Sequence, residues 1–155
     1  MSVLLTGGSG FIGSRLIKEL EDKNIKITLI GRKKHYKHKT FICDFLKDDI
    51  PEIAFNNIET VFHLAGCAHD TNSKIQNDSY IKINTESVEK IAKISIDKEV
   101  KNFIFISSVK ADNPSDIYGI SKKRAEDELI DLSRNSNMKI IIIRSALVYG
   151  QEVKG

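Results

Sequence analysis

Tyr118 and Lys122 are the residues of this sequence whose types and spacing most directly suggest chemistry, in the segment Tyr-Gly-Ile-Ser-Lys. Residues four positions apart lie on the same face of a helix. A free tyrosine has a pKa of about 10, and a neighbouring lysine favours the phenolate and lowers that pKa toward neutrality. A tyrosine and a lysine so placed are chemically able to form a general base. The same pattern also arises by chance, as an aromatic residue beside a solvated lysine.

Three glycines near the amino end form a second candidate site. Gly7, Gly10 and Gly13 follow the apolar run Val3–Thr6 at the spacing G-x-x-G-x-x-G. Without side chains, such a loop turns sharply and lets its backbone approach a pyrophosphate, while the next helix offers free N–H groups to the phosphates. No Gly-Lys-Ser/Thr follows, so a P-loop does not fit. We predict a dinucleotide-phosphate site here.

Short β-rich runs alternate with amphipathic segments along the chain. Most runs are continuously apolar, which is typical of strands buried on both faces of a parallel sheet. The predicted strands are Val3–Thr6, Ile25–Ile30, Thr40–Cys43, Thr60–Leu64, Asn102–Ser107 and Lys139–Arg144. Predicted helices follow the first strand and cover residues 80–98 and 118–134. The pattern indicates an α/β fold: a Rossmann-type, doubly wound parallel sheet of about six strands with helices on both faces.

Length and composition limit the remaining classes. The 155 residues fit one domain, predicted as a single dinucleotide-binding unit over 1–155. The net charge of +3 is spread out and does not argue for a nucleic-acid partner. Cys43 and Cys67 form no CxxC pair, and we expect both in the core. Neither a signal peptide nor an apolar run of about 18 residues is present, so we expect a cytoplasmic protein without a membrane span.

Five segments, in order, resemble the extended short-chain dehydrogenase/reductases, the UDP-glucose 4-epimerase-like NAD-dependent epimerase/dehydratase family. The glycine loop is the first. Residues 63–66 (His-Leu-Ala-Gly) are similar to the family's His-Leu-Ala-Ala, and residues 103–108 resemble its fifth strand with a terminal serine. Residues 118–122 carry its Tyr-x-x-x-Lys pair. Residues 143–150 match Arg-Pro-x-x-Val-Tyr-Gly, with Ser145 in place of the proline.

The resemblance implies roles for these residues in oxidising a sugar hydroxyl. Ser108 would hydrogen-bond the reacting oxygen, with Ser107 as the alternative, although a Ser-Ser pair is also a common loop start or helix cap. Tyr118 would be the base, and Lys122 would also hold the nicotinamide ribose. Asp44 is similar to the aspartate that accepts from the adenine amino group. The implied cofactor-binding residues are Gly7, Gly10, Phe11, Ile12, Gly13, Arg32, Asp44, Phe45, Leu64, Ala65, Gly66 and Lys122.

The end of the second strand bears on the choice of cofactor. NAD enzymes typically place a carboxylate there against the ribose 2′-OH, whereas this chain reads Gly31-Arg32. A guanidinium suits a 2′-phosphate. The cofactor is therefore NAD or NADP, with a preference for NADP. The alternative is that Arg32 stacks over the adenine or points into water.

The substrate expectation also comes from resemblance. The segments around Ser108 and Tyr118 look closest to bacterial polysaccharide-pathway epimerases, which implies a UDP-linked sugar. Dehydratases of the family generally carry an acidic pair where this chain has Val109-Lys110, so dehydration fits less well. Only nine residues separate Ser108 from Tyr118, fewer than is usual in extended enzymes. Neither His63 nor His69 has ligand-type neighbours at suitable spacing, so we expect no metal; His63 reads as structural, and His69-Asp70 could approach substrate.

Family members continue for well over a hundred residues beyond the end of this sequence, forming a substrate domain. We therefore expect a nucleotide-sugar epimerase module that binds cofactor without efficient turnover. The alternatives are a non-catalytic dinucleotide sensor, and a reductase or dehydratase of the same superfamily. An apolar surface left by the absent part could make the chain self-associate.

Overall fold

The computed structural model describes residues 1–67 and 77–150, which build an open parallel sheet. Its strands are β1 (Ser2–Thr6), β2 (Lys26–Gly31), β3 (Lys39–Ile42), β4 (Thr60–His63), β5 (Asn102–Ser108) and β6 (Lys139–Ser145). They lie in the order β3-β2-β1-β4-β5-β6, and every neighbouring pair is parallel. The predicted six-stranded, doubly wound sheet is confirmed. Successive strands are added on one side of β1 as far as β3 and on the other side from β4 onward. Such folds bind ligands at the carboxyl ends of the strands where this change of side occurs.

Helices cover both faces. They are α1 (Phe11–Asp22), α2 (Asn77–Ile81), α3 (Ser87–Asp97) and α4 (Ile117–Arg134). A π-helical turn, Lys82–Glu86, joins α2 to α3, so the predicted helix over 80–98 is interrupted by a wider turn. Short 3₁₀ turns occur at Glu52–Phe55 and Val109–Ala111. Among residues 1–67 and 77–150, no helix combines the length and apolarity needed to cross a bilayer.

Alternate residues of β1, β2 and β4 contribute to two separate cores, one on each face of the sheet. In β1, Val3 and Leu5 pack with Ile17 of α1, whereas Leu4 packs on the opposite face with residues of α3 and α4. This two-sided burial explains why the strands read as continuous apolar runs. Cys43 is buried in the second core, and burial raises the pKa of its thiol to about 11.

The α1 face of the sheet is less well covered near β6. Phe103 and Phe105 point toward α3 and α4, so the alternating Ile104 and Ile106 face the α1 side. Ile104 pairs in register with Ile141, and Ile106 with Ile143. These isoleucines remain partly exposed, and Ile143 is 45% exposed. An aliphatic strip therefore lies open at this edge of the sheet.

Candidate functional site

The glycine loop leaves β1 in a conformation that requires glycine. Gly7 has φ +72°, and a Cβ there would lie 2.6 Å from the backbone nitrogen of Ala65. A Cβ on Gly13 would lie 2.2 Å from the Gly7 carbonyl oxygen. The Gly10 N–H donates to that same carbonyl at 3.0 Å and closes the turn. Two of the three predicted glycines are thus needed for close backbone packing, which no larger residue would permit.

Helix α1 begins directly at this loop. Gly10 is its N-cap, in an extended conformation and with no side-chain cap. The N–H groups of Phe11, Ile12 and Gly13 precede the first intrahelical bond, which runs from the Ser14 N–H to the Gly10 carbonyl at 2.9 Å. Such N–H groups and the helix dipole suit an anion. The Phe11 ring lies under the Arg15 guanidinium, 3.6 Å from ring centroid to Cζ.

A cleft of about 960 Å³ opens beside the loop, at the carboxyl ends of β1, β2 and β4. Most of the predicted cofactor residues share its lining: Gly7, Gly10, Arg32, Asp44, Phe45, Leu64, Ala65 and Gly66. The remaining predicted residues, Phe11, Ile12, Gly13 and Lys122, lie outside that lining. A volume of this size falls within the range of small-molecule and cofactor sites.

At one end of the cleft, the β2–β3 loop places exposed Arg32 beside Lys33 and Lys34. Asp44 lines the same region after β3. One oxygen of its carboxylate accepts from the Leu46 N–H at 3.1 Å, and its own N–H donates to Asp48 at 2.7 Å. Cationic side chains and an oriented carboxylate therefore meet at this end.

Ser108 and Tyr118 meet at the carboxyl end of β5, where their side chains are hydrogen-bonded to each other. Ser108 Oγ also accepts from the Lys110 N–H at 3.2 Å. The alternative, Ser107, has a buried hydroxyl with no hydrogen-bond partner among the described residues. The structure thus brings Ser108, and not Ser107, to the tyrosine.

The acidity of Tyr118 differs from the expectation. Burial raises the pKa of Tyr118 above its ordinary value, and the bond to Ser108 only partly opposes this. Lys122 is not among the groups that lower the pKa of Tyr118. The expected lowering by Lys122 was therefore wrong for the cofactor-free chain, because sequence spacing does not reveal desolvation or the direction of a side chain.

Lys122 is buried, whereas the chance interpretation had it solvated. Its ammonium donates to the Ile106 carbonyl at 2.9 Å and lies 4.7 Å from the centroid of Phe105. Burial lowers the pKa of Lys122 to about 8, although Glu126 opposes this shift. Gly66 lines the cleft, and a Cβ on it would lie 3.2 Å from the Lys122 ammonium. The ammonium therefore lies directly beside Gly66, at the border of the cleft.

His63 is structural, as predicted. Burial lowers the pKa of this imidazole to about 3, so it is neutral. Its Nδ1 lies 3.0 Å from Thr6 Oγ1, which also accepts from the Ala65 N–H at 3.1 Å. This chain of contacts joins the end of β1 to the end of β4 and fixes the backbone that faces Gly7.

Two buried polar residues escaped the sequence analysis. Asn84, in the π-helical turn, accepts from the Cys67 N–H at 2.7 Å and donates to the Cys67 carbonyl at 2.9 Å and to Ser121 Oγ at 3.0 Å. Glu126, on α4, forms a bidentate pair with Arg144 of β6, with its shortest contact at 2.6 Å. Asn84 is a polar residue on the apolar face of the predicted helix, and this position was the signal that could have identified it.

Among the described residues, no group of three His, Cys, Asp or Glu side chains could hold a metal ion. His69 and Asp70, which the sequence suggested near the substrate, lie outside the described residues.

Comparison with known proteins gives a consistent result. Residues 3–155 match the pattern of the NAD dependent epimerase/dehydratase family. A UDP-glucose 4-epimerase of Vibrio cholerae is 36% identical over 99% of this chain and 53% of its own length. A putative UDP-glucose 4-epimerase of Methanocaldococcus jannaschii is 28% identical over 99% of this chain and 58% of its own length. The chain spans about half the length of these curated relatives.

Solved structures show the same fold. A UDP-glucose 4-epimerase of Thermotoga maritima, solved with UDP-glucose, has a TM-score of 0.82 at 25% identity and covers 97% of this chain and 57% of its own. A UDP-glucuronic acid 4-epimerase of Bacillus cereus, solved with NAD, has a TM-score of 0.82 at 21% identity, over 97% of this chain and 58% of its own.

Proposed function

This chain belongs to the NAD dependent epimerase/dehydratase family, and on that premise we propose that it is the cofactor-binding part of a nucleotide-sugar epimerase. One observation carries the proposal. Gly7 and Gly13 pack so closely against backbone that a Cβ at either would collide with it, at the mouth of α1 and of a cleft of about 960 Å³. A dinucleotide pyrophosphate fits such a bare loop at a helix start.

The residues around the cleft fit the rest of the cofactor. Asp44 would accept from the adenine amino group, and Ala65 and Gly66 would line the cofactor by backbone. Lys122, whose ammonium lies next to Gly66 at the border of the cleft, would hold the nicotinamide ribose. Arg32 with its two neighbouring lysines supports NADP over NAD, because a guanidinium binds a 2′-phosphate with charge assistance.

Bound nicotinamide would supply a hydride acceptor for transient oxidation of a sugar hydroxyl. As the carbon loses its hydride, Tyr118 as phenolate would take the hydroxyl proton, so that a ketone forms and the tyrosine becomes neutral. Ser108, already hydrogen-bonded to Tyr118, would donate to the same sugar oxygen and orient it. Tyr118 would give its proton back to the sugar oxygen as the hydride returns to the opposite face of the sugar, so that the hydroxyl is restored on an inverted carbon and the phenolate is regenerated.

We infer a UDP-linked sugar as the substrate, because relatives at 36% and 28% identity carry the name UDP-glucose 4-epimerase. The chain aligns with only about half of such enzymes. We therefore propose epimerisation for the protein that contains this chain, with the chain supplying cofactor binding, and we propose a cytoplasmic location.

Self-association is the other part of the proposal. The open strip of Ile104, Ile106, Ile141 and Ile143 would pair with the same strip of a second copy. Apolar strands facing each other in this way bury aliphatic surface as in a two-sheet sandwich.

Calorimetric titration with NAD and with NADP tests the function. We expect saturable binding of both, tighter for NADP, and loss of binding in Gly13→Val. Tyr118→Phe should keep the affinity, since its hydroxyl acts on the substrate. Tighter binding of NAD would overturn the NADP preference, and absence of binding to either would overturn the function. In a longer protein that contains this chain, Tyr118→Phe should abolish epimerisation; retained activity would exclude Tyr118 as the base.

A further inference from the structure

Lys110 is a cation near Tyr118 that the proposed function does not use. Its ammonium lies 6.0 Å from the centroid of the Tyr118 ring and forms an ion pair with Asp116 at 2.7 Å. Its backbone N–H donates to Ser108 Oγ at 3.2 Å. One residue therefore contacts the serine through its backbone and faces the tyrosine with its charge.

The short segment between Ser108 and Tyr118 holds Lys110 in this position. The Asp116 carboxylate uses one oxygen to cap α4, accepting from the Gly119 N–H at 2.7 Å, and the other to bind the Lys110 ammonium. A Cβ on Gly119 would lie 2.7 Å from the Lys110 carbonyl, so the segment packs its backbone directly on the first turn of α4. Lys110 is thus held at two points: its backbone packs on α4 and its ammonium pairs with Asp116.

The lysine expected to act on the tyrosine is directed elsewhere. The Lys122 ammonium donates to the Ile106 carbonyl and lies over the Phe105 ring. Within residues 1–67 and 77–150, the charged or titratable groups that act on Tyr118 are Lys110, Asp116 and Cys67, and of these three Lys110 favours the phenolate.

We propose that Lys110 is a positioning residue for Tyr118: anchored on Asp116, its ammonium faces the phenol ring and stabilises the phenolate. The consequence for catalysis rests on the proposed function, in which Tyr118 is the base. The electrostatic claim itself concerns the cofactor-free chain and can be tested without any ligand.

The test is a pH titration of the four tyrosines by NMR, with ¹³C at the ring carbon that bears the hydroxyl and with Tyr118→Phe to assign the signal. Lys110→Met keeps the aliphatic stem and removes the charge. We expect it to raise the pKa of Tyr118, so that the phenolate-to-phenol ratio at a given pH falls about threefold, as for a unit charge some 6 Å away in a partly solvated site. Lys110→Arg should preserve the wild-type titration.

Lys123→Met is the matched control, because Lys123 lies on α4 and pairs with Asp127 at the surface; it should leave the Tyr118 signal unchanged. Lys110→Gln replaces the methionine variant if that variant fails to fold, which the other three tyrosine signals report. An unchanged Tyr118 titration in the uncharged variant would overturn the proposal, and so would an equal shift in Lys110→Arg. Failure of NAD or NADP to bind would refute the proposed function and leave this result standing.

Discussion

Lys122→Met should make the cofactor-free chain more stable at neutral pH while weakening its binding of NAD(P). Burial lowers the pKa of Lys122 from 10.5 to about 8, which corresponds to a cost of about 3 kcal/mol for holding the charge, at about 1.4 kcal/mol per pH unit. The bond to the Ile106 carbonyl returns about 1.5 kcal/mol as a charged hydrogen bond. Methionine fills a similar volume, so the expected gain is about 1–2 kcal/mol at pH 7.

The sign of the pH dependence follows from the lowered pKa of Lys122. Between pH 8 and pH 10.5 the unfolded chain holds the proton more tightly than the folded chain, so wild-type stability rises with pH. The cost is present in full below pH 8 and disappears toward pH 10.5. The advantage of Lys122→Met should therefore be largest at neutral pH and shrink as the pH rises.

Urea unfolding of wild type, Lys122→Met and the surface control Lys123→Met across this range measures the effect. Calorimetry on the same proteins should show cofactor affinity about tenfold lower in Lys122→Met, equivalent to one lost hydrogen bond. A Lys122→Met chain that is less stable than wild type at neutral pH, by a margin that does not change with pH, would refute the reasoning.

The remaining predictions concern the loop, the buried imidazole and the open strip. Gly7→Ala should lose about 2–4 kcal/mol of stability in thermal unfolding and all cofactor binding in calorimetry, because its Cβ would meet Ala65. Gly31→Ala, with nothing within 4 Å of its Cβ, should keep the stability of the wild type. His63 has a pKa of about 3, so the unfolded chain protonates first and stability should fall below about pH 6.5, by up to about 5 kcal/mol. In His63→Phe, the free energy of unfolding measured with urea should change less between pH 6.5 and lower pH. The same loss of stability as in the wild type would contradict a neutral His63 imidazole. Ile143→Lys should convert a dimer to a monomer by light scattering, whereas a monomeric wild type would exclude the proposed pairing.

The fold was predictable because its signals are local. The central strands β1, β2 and β4 are buried on both faces, and continuous apolar runs mark all six strands to within about a residue at each end. The glycine loop was predictable for a similar reason: Gly7 and Gly13 meet backbone that any Cβ would strike, and the sequence records that constraint directly.

The electrostatics of the site were not predictable in the same way. The spacing of Tyr118 and Lys122 indicates a shared helix face, but the direction of the Lys122 ammonium depends on the Ile106 carbonyl in a strand distant in sequence. The pairing of Glu126 with Arg144 likewise joins α4 to β6 across 18 residues. The π-helical turn that directs Asn84 inward has no propensity signal, because it arises from tertiary hydrogen bonds to Cys67 and Ser121.

A crystal structure of this chain grown with saturating NAD or NADP tests the central claim most directly. We predict electron density for the diphosphate against the backbone of residues 7–13, within hydrogen-bonding distance of the first N–H groups of α1, with the nicotinamide directed toward Tyr118. Density for the cofactor elsewhere, or a cleft beside the glycine loop that holds only water at saturating cofactor, would contradict the account.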